Sequence, residues 1–380
     1  MGIDSRRGLS AEQLLIQDGA RKLAAGFADV AAEADELATP HPGMRQALAD
    51  SGLVRLLVPA AYGGRYDRID TLAVTLVREQ LMAVSAHLDT LFCMQGIGSY
   101  ALARGGSAEL RRAWLPRVVE MDAIAALALT EDDAGSDLKA VSTTVEQRGD
   151  RLVVNGRKSW ISNGTAADFF CTLAREGDGY SMVLVPADAA GVSVTPTETI
   201  MAPHVMGDIS FDGVELPVGN RLGEPGKAWS LVFATLGSFR VSVAGAAVGL
   251  AQAALDAAAR HAVTRHQFGR PLAEIGPVGQ LLARAWADLE SARVFVYQAA
   301  AQAADDPRAA LDVSSMAKVV ATEAAARIVD NCVQVMGRHG LVRDSVIERA
   351  YRAARPMRIY EGATETVLDS LSKELVKQYR

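Results

Sequence analysis
With 380 residues, 49% of them hydrophobic, the chain can bury two or three separate cores, and its composition is that of an ordinary globular protein. A formal net charge of −6, with 39 basic residues scattered among 45 acidic ones, argues against nucleic acid as a partner, because phosphate backbones are held by concentrated positive surface. Cys93, Cys171 and Cys332 are odd in number, far apart and without metal-ligand spacing, which points to buried free thiols in a reducing compartment and away from disulfides or a metal site.

From Met1 to Gln13 there are charges and no apolar run of signal-peptide length, and Arg6 spoils the myristoylation pattern that Gly2 begins, so a cytoplasmic chain is expected. From Ala11 to Glu120 apolar residues recur at helical spacing, as in Ile16, Ala20, Leu23, Phe27 and Val30, with breaks at Pro40-His41-Pro42 and Gly63-Gly64. The pattern changes between Ala125 and Leu222. There Arg151 to Val154 runs into Asn155-Gly156, a type I′ signal, and Lys158 to Ile161 continues beyond it, which predicts a hairpin turning at Asn155-Gly156. Further strands are predicted at Phe169 to Ala174, Ser181 to Val185, Gly191 to Thr195 and Asp208 to Glu215, together a small antiparallel β domain.

From Ala228 onward Ala-rich helical patterns return, at Trp229 to Thr264, Val278 to Ala304, Ala309 to Met336 and Thr364 to Tyr379. Helices this long and apolar do not stand alone, and a four-helix bundle is predicted. The apolar run from Ala228 to Leu255 is interrupted by Arg240 and rich in Ala and Gly, so it reads as a packed core helix, and no membrane insertion is expected. The expected fold is mainly α with a central β domain, its three parts being 1–124, 125–227 and 228–380.

Four segments carry the chemistry: Thr130-Glu131-Asp132-Asp133-Ala134-Gly135-Ser136-Asp137, Trp160-Ile161-Ser162-Asn163-Gly164, Arg265-His266-Gln267-Phe268-Gly269 and Ile359-Tyr360-Glu361-Gly362-Ala363-Thr364. Taken singly each has a plain structural explanation. Glu361 can be an acid serving a helix N-terminus and Arg265 a cation at a helix C-terminus; Trp160 and Tyr360 can be core. Arg240, inside an apolar helix, needs a partner or an exit to water. In their fixed order, however, the segments resemble the acyl-CoA dehydrogenase family, and the resemblance covers nearly the whole chain, most weakly over the first hundred residues.

The resemblance implies that family's three-part fold and an FAD-dependent α,β-dehydrogenation of an acyl thioester, in which a base removes the α-proton and the β-hydrogen leaves as hydride to flavin N5. Glu361 matches the family's catalytic glutamate. Some relatives carry that glutamate on the helix that opens the C-terminal domain, where this chain has Phe239, which cannot abstract a proton. The resemblance further assigns Thr130, Gly135, Ser136, Trp160 and Ser162 to the flavin ring, Arg265, Phe268 and Gln334 to FAD across a subunit contact, and Ser136, Phe239, Arg240, Tyr360 and Gly362 to the substrate. It implies an acyl-CoA or acyl-carrier-protein substrate, an electron-transfer flavoprotein or other electron acceptor, and a homotetramer or homodimer.

Several positions depart from the family pattern: Asp132 for a Pro, Gly276 for a Gln, Arg338 for a Gly, Ala353 for an Asp, Ala363 for a Thr and Leu368 for an Arg. Most concern the adenosine and phosphate side of FAD or the subunit contact. They keep a carrier-protein thioester open as the substrate. A catalytically silent flavin-binding subunit is the rival of another class, and Glu361 argues against it. Phe239 hints at a compact acyl group, and Gln95 is a candidate for a polar pocket floor.

Overall fold
The structure, a computed structural model, describes residues 8–380, so Gly2 and Arg6 lie outside the described residues. Six helices come first: α1 Ala11–Ala25, α2 Ala31–Ala34, α3 Pro42–Ser51, α4 Thr71–Met82, α5 Ala86–Gly105 and α6 Ala108–Val119. Strands follow as β1 Ala125–Ala128, β2 Thr144–Arg148, β3 Arg151–Ser162, β4 Phe169–Glu176, β5 Gly179–Pro186, β6 Val192–Pro196, β7 Met206–Pro217 and β8 Arg221–Leu222. After them come α7 Trp229–Thr264, the short pair β9 His266–Gln267 and β10 Arg270–Pro271, then α8 Gly276–Asp305, α9 Leu311–Met336, α10 Val346–Met357 and α11 Thr364–Lys377. The fold is mainly α with a central sheet. The chain forms two compact units, one of residues up to Asp35 with Thr71–Asp89 and Gly237–Arg380, the other of Glu36–Asp70 and Thr90–Leu236.

The helix boundaries follow local chemistry. Ser10 and Gln13 form a reciprocal capping box at the start of α1. The break at Pro40-His41-Pro42 is the start of α3, where the His41 ring accepts from the Met44 amide and Pro42 occupies the first turn. α10 is not among the predicted helices, although Ile347, Ala350, Ala354 and Met357 recur at helical spacing and form its buried face; two of the four are alanines set among Arg and Glu, so the stripe is narrow in the sequence.

The unit containing the sheet has strand order β6-β7-β3-β2-β4-β5-β8, with β1 beside β4. Three expectations are corrected here. The hairpin turns at Gly149-Asp150, with Arg148 opposite Arg151, and Asn155-Gly156 lies within β3. Gly156, at φ 140, is a bulge residue whose Cβ would stand 2.6 Å from the Thr143 Cα, so its glycine is demanded by close backbone approach and not by a turn. The sheet is also mixed, since β1 pairs with β4 in parallel and Thr144 pairs with Arg175 in parallel. Phe169, Cys171 and Leu173 face one core while Phe170 and Ala174 face another, which is why β4 reads as a continuous apolar run. Gln95 is not a pocket floor: its amide spans the Val118 and Ala123 carbonyls and the Ala125 amide, bracketing the entry to β1. All three cysteines are free and buried.

The other unit is helical. By length and composition α7 could cross a membrane, but 78% of its most apolar window is buried within the protein, as in a core helix. Its small residues let α4 approach. A Cβ on Gly245 would stand 2.6 Å from the Thr75 carbonyl oxygen, and one on Gly249 only 1.8 Å from that of Glu79. A buried polar knot ties four helices together: Glu79 of α4 accepts from Arg293 (3.1 Å) and Tyr297 (2.5 Å) of α8, Gln17 of α1 donates to Tyr297 (3.0 Å), and Arg293 donates to Gln252 of α7 (2.6 Å).

Gly249→Ala is expected to force α7 away from α4 and to cost about 1–3 kcal/mol, the usual range for overpacking. Equilibrium denaturation of the variant beside the wild type measures it, and an unchanged midpoint would contradict the close approach.

Candidate active site
In the helical unit the chain between α10 and α11 makes a tight turn in which Glu361 has φ 52 and Gly362 φ 105. A non-glycine residue in the left-handed region costs on the order of 1–3 kcal/mol, so the turn must be held by its surroundings. Two cations hold it, the part-buried Arg240 and the fully buried Lys318. Arg240 of α7 donates through Nε to the Glu361 carbonyl (3.0 Å) and through Nη1 to the Ser315 hydroxyl (2.9 Å), and Lys318 of α9 donates to the Gly362 carbonyl (2.6 Å). A further α9 residue, Glu323, accepts from Arg358 (2.7 Å) and from the Thr364 hydroxyl (2.8 Å). Gly362 has no room for a side chain: a Cβ would stand 2.8 Å from Val367 and 3.3 Å from the Arg240 Nη2. Ala363 gives α11 no side-chain cap, and the hydroxyl of Thr364 is engaged by Glu323.

Because both cations are bound to carbonyls, the Glu361 carboxylate is left unclaimed. Its Oε2 is buried with no hydrogen-bond partner among the described residues. Burial pushes the Glu361 carboxyl above the ordinary carboxylate range, against the opposing pull of Arg78, Arg240 and Lys318. Burial likewise lowers Arg240 and brings Lys318 down to about 8, with Glu361 as the charge that resists both shifts. Phe239, fully buried, precedes Arg240 on α7, and Tyr360 packs part-buried against the helical core. Arg78 of α4 pairs with Asp89 of α5 at 2.8 Å and donates to the Ser242 hydroxyl at 2.9 Å.

In the unit with the sheet, Thr130 and Trp160 are neighbours, for the Ser159 amide donates to the Thr130 carbonyl (3.0 Å). The organising residue is Glu131. Its buried carboxylate accepts from Lys158 (2.8 Å), from the amide and hydroxyl of Ser142 (2.6 Å each) and from the Thr143 amide (3.0 Å). Burial raises a carboxyl, but these bonds overcome it and hold Glu131 at about 2; burial brings Lys158 to about 8, with Glu131 resisting. Trp160, at φ 60 on a bulge of β3, keeps 48% of its surface exposed, and its amide donates to Asp208 (3.1 Å). Arg157 bridges Asp208 (2.8 Å) and Asp132 (3.7 Å), which gives the departing Asp132 a partner beside Trp160. The Ser162 hydroxyl meets His204 Nε2 at 3.2 Å. Gly135 and Ser136 are exposed, and a Cβ on Gly135 would meet nothing within 4 Å, so packing within the chain does not require that glycine.

Arg265, Phe268 and Gln334 are exposed in the helical unit. Phe268 and Gly269, at φ 53 and 76, form the tip of the β9–β10 hairpin, and Phe268 is 92% exposed. A flavin fits the residues present: an aromatic ring left half-exposed on a rigid sheet beside an open glycine-containing turn offers a stacking surface, and Arg265 offers phosphate a planar set of donors. The motifs did not reveal Glu131, Lys158, Lys318, Asp208 or His204. A lysine in the Ala-rich α9 and the acid between Thr130 and Asp132 were the available signals.

Models of the acyl-CoA dehydrogenase N-terminal, middle and C-terminal domains match residues 10–122, 126–214 and 226–376. A cyclohex-1-ene-1-carbonyl-CoA dehydrogenase of Geobacter metallireducens is 35% identical over 366 residues, covering 94% of this chain and 96% of its own. Glutaryl-coenzyme A dehydrogenase in complex with glutaryl-CoA superposes with a TM-score of 0.93 at 28% identity, over 97% of this chain and 96% of that one. An acyl-CoA dehydrogenase of Bacillus anthracis complexed with FAD superposes with a TM-score of 0.90 at 26% identity, over 100% of this chain and 69% of that one.

Glu131 has a pKa depressed by folding, so the stability it confers is fully present above the unfolded value near 4.5 and is lost as pH falls towards about 2. The stability difference between the wild type and Glu131→Gln should therefore be largest above about pH 4.5 and narrow below it. Denaturant titrations followed by tryptophan fluorescence at several pH values test this, and a difference independent of pH would contradict it.

Proposed function
Since the chain belongs to the acyl-CoA dehydrogenase family, we propose that it oxidises an acyl-CoA thioester to the 2-enoyl thioester, with Glu361 as the base and FAD as the electron acceptor. The observation that carries this reading is the Glu361 carboxylate, buried, free of hydrogen bonds at Oε2 and raised in pKa, on a turn whose carbonyls are clamped by Arg240 and Lys318. A base for a weakly acidic C–H needs that combination of immobility and basicity. The α-proton passes to Glu361, the β-hydrogen leaves with its electron pair, and a carbon–carbon double bond forms. Bound FAD supplies the two-electron acceptor that no side chain provides.

The chain's own residues have separate duties. Arg240 and Lys318 hold the backbone of the base and limit how far its pKa can rise. Trp160 offers its exposed ring for stacking, and the turn from Thr130 to Ser136 offers backbone groups and hydroxyls. Where the His204 Nδ1–H is directed to the Ala202 carbonyl (3.4 Å), Nε2 accepts a hydrogen bond from the Ser162 hydroxyl and fixes its orientation. Arg265 and Gln334 are assigned to the dinucleotide of a second copy, and the almost fully exposed Phe268 to the surface that copy covers. The reduced cofactor requires an acceptor, to which we assign an electron-transfer flavoprotein.

Glu361→Gln should fold and retain FAD, yet reduce the flavin at least about a hundredfold more slowly, the range for loss of a general base. Anaerobic stopped-flow bleaching with a thioester that the wild type oxidises measures that step, and a wild-type rate would remove Glu361 from the mechanism. In the wild type the same rate should rise with pH through a value above the ordinary carboxylate range. Arg265→Ala should weaken FAD retention by roughly ten- to a hundredfold, as for a lost charge-assisted phosphate contact. Equilibrium dialysis measures the affinity, and no change would place Arg265 away from the cofactor.

A further inference from the structure
Side chains alternate across a strand, so residues two places apart share a face. Lys158 of β3 is fully buried, and yet Trp160, two places further on, keeps 48% of its surface exposed. The bulge in β3 makes the difference. Lys158 stands opposite Ile209 of β7 and Ile161 stands opposite Gly207, so Ser159 and Trp160 together face the single residue Asp208. An extra residue in one strand re-aims the side chain that it carries, and here it turns the indole out of the face that buries Lys158.

A bulge takes amides out of the ladder, and a tryptophan at φ 60 is in a region that side chains rarely adopt, so the arrangement must be held from outside. Both amides of the bulge have such a partner. Ser159 donates to the Thr130 carbonyl (3.0 Å), and Trp160 donates to the Asp208 carboxylate Oδ1 (3.1 Å). Asp208 is well fixed for this task. Its strand, β7, lies between β3 and β6, where Asp208 is paired with Thr195, and its side chain is only 17% exposed. Its other oxygen, Oδ2, accepts from Arg157 Nη2 (2.8 Å), which leaves Oδ1 for the amide. Asp132 adds little to this, because it stands 3.7 Å from Arg157 with both side chains more than half exposed. Nor is Asp208 needed to secure the turn from Thr130 to Ser136, which has its own buried support in Glu131 and Lys158. What the Asp208 carboxylate serves is the set of the Trp160 ring.

We propose that Asp208 is a positioning residue for the cofactor: by accepting the Trp160 amide it holds the bulge that turns the indole outward for the flavin, and Arg157 orients its carboxylate. The proposal rests on the assignment of Trp160 to the flavin and adds the group that sets its ring. Asp208 acts through Trp160 and has no chemical step of its own.

The experiment is a double-mutant cycle on the full-length, FAD-loaded protein, with Trp160→Leu, Asp208→Ala and the two combined. Two quantities are read, FAD affinity by equilibrium dialysis and the emission of the bound flavin, which a stacked indole quenches. Trp160→Leu should weaken FAD binding by about tenfold, as for the loss of an aromatic stacking partner, and should raise the emission. Asp208→Ala should produce most of both changes although the tryptophan is still present, and the combined variant should be no worse than Trp160→Leu alone. Asp208→Asn keeps an acceptor for the Trp160 amide and should stay within about threefold of the wild type with its flavin still quenched. Thermal unfolding establishes that each variant is folded. If Asp208→Ala fails to fold, Arg157→Met takes its place, since it removes the group that orients the carboxylate, and it should change affinity and emission in the same direction. Effects of Trp160→Leu and Asp208→Ala that simply add would overturn the proposal, as would an Asp208→Ala protein that melts earlier but holds FAD and quenches it as the wild type does, or an Asp208→Asn protein as defective as Asp208→Ala. If Trp160→Leu changes both readouts and Asp208→Ala neither, the flavin assignment of Trp160 stands and the positioning role of Asp208 falls. If Trp160→Leu itself changes neither, the assignment of Trp160 to the flavin falls and takes the role of Asp208 with it.

Discussion
The arrangement around Glu361 in the helical unit depends on two hydrogen bonds to main-chain carbonyls, from Arg240 to Glu361 and from Lys318 to Gly362. A cation beside a carboxylate ordinarily pairs with it, lowers its pKa and spoils it as a base. Here the cations are spent on the backbone. They supply the interactions that hold Glu361 at a positive φ, and they leave its Oε2 buried and unbonded among the described residues. Arg240 and Lys318 still pull on the carboxylate through space, and burial outweighs them, so the group is raised in pKa without being stripped of nearby positive charge.

The unit with the sheet uses charge differently. Glu131 and Lys158 form a direct buried pair, and the remaining acceptor capacity of Glu131 is filled by Ser142 and Thr143. This pair is fully satisfied, and its product is geometric: it fixes the turn from Thr130 to Ser136 against β3, where the Ser159 amide reaches the Thr130 carbonyl and Trp160 stands clear of the core. The carboxyl held at about 2 stays charged at any physiological pH. One carboxylate is thus kept unpaired and basic, the other bonded and acidic, and their environments alone distinguish them.

Some errors in reading the sequence have definite physical causes. Asn155-Gly156 has the composition of a type I′ turn, but a glycine is also demanded where a strand must pass close to another backbone, and Thr143 stands there. Gln95 looked available for a pocket because one sequence does not tell where an amide finds its partners, and its partners are the Val118 and Ala123 carbonyls and the Ala125 amide. α10 carries its apolar face on only four residues, Ile347, Ala350, Ala354 and Met357, two of them alanine, within a run dominated by Arg and Glu.

By itself the sequence determined what depends on neighbours in the chain. Periodicity gave the long helices, α7 to the residue, as well as the central strands and the class of fold, and the fixed order of four motifs named the family and singled out Glu361. Only the tertiary structure decided which distant groups meet. That Arg240 would bind a carbonyl and not the carboxylate, that Lys318 would join it from α9, and that Arg78 would find Asp89 and Ser242 are matters of helix packing. A charge in an apolar helix declares that it needs a partner, because burying it alone is prohibitive. Its sequence neighbours do not say which partner, since that choice is made by side chains that meet only when the helices pack.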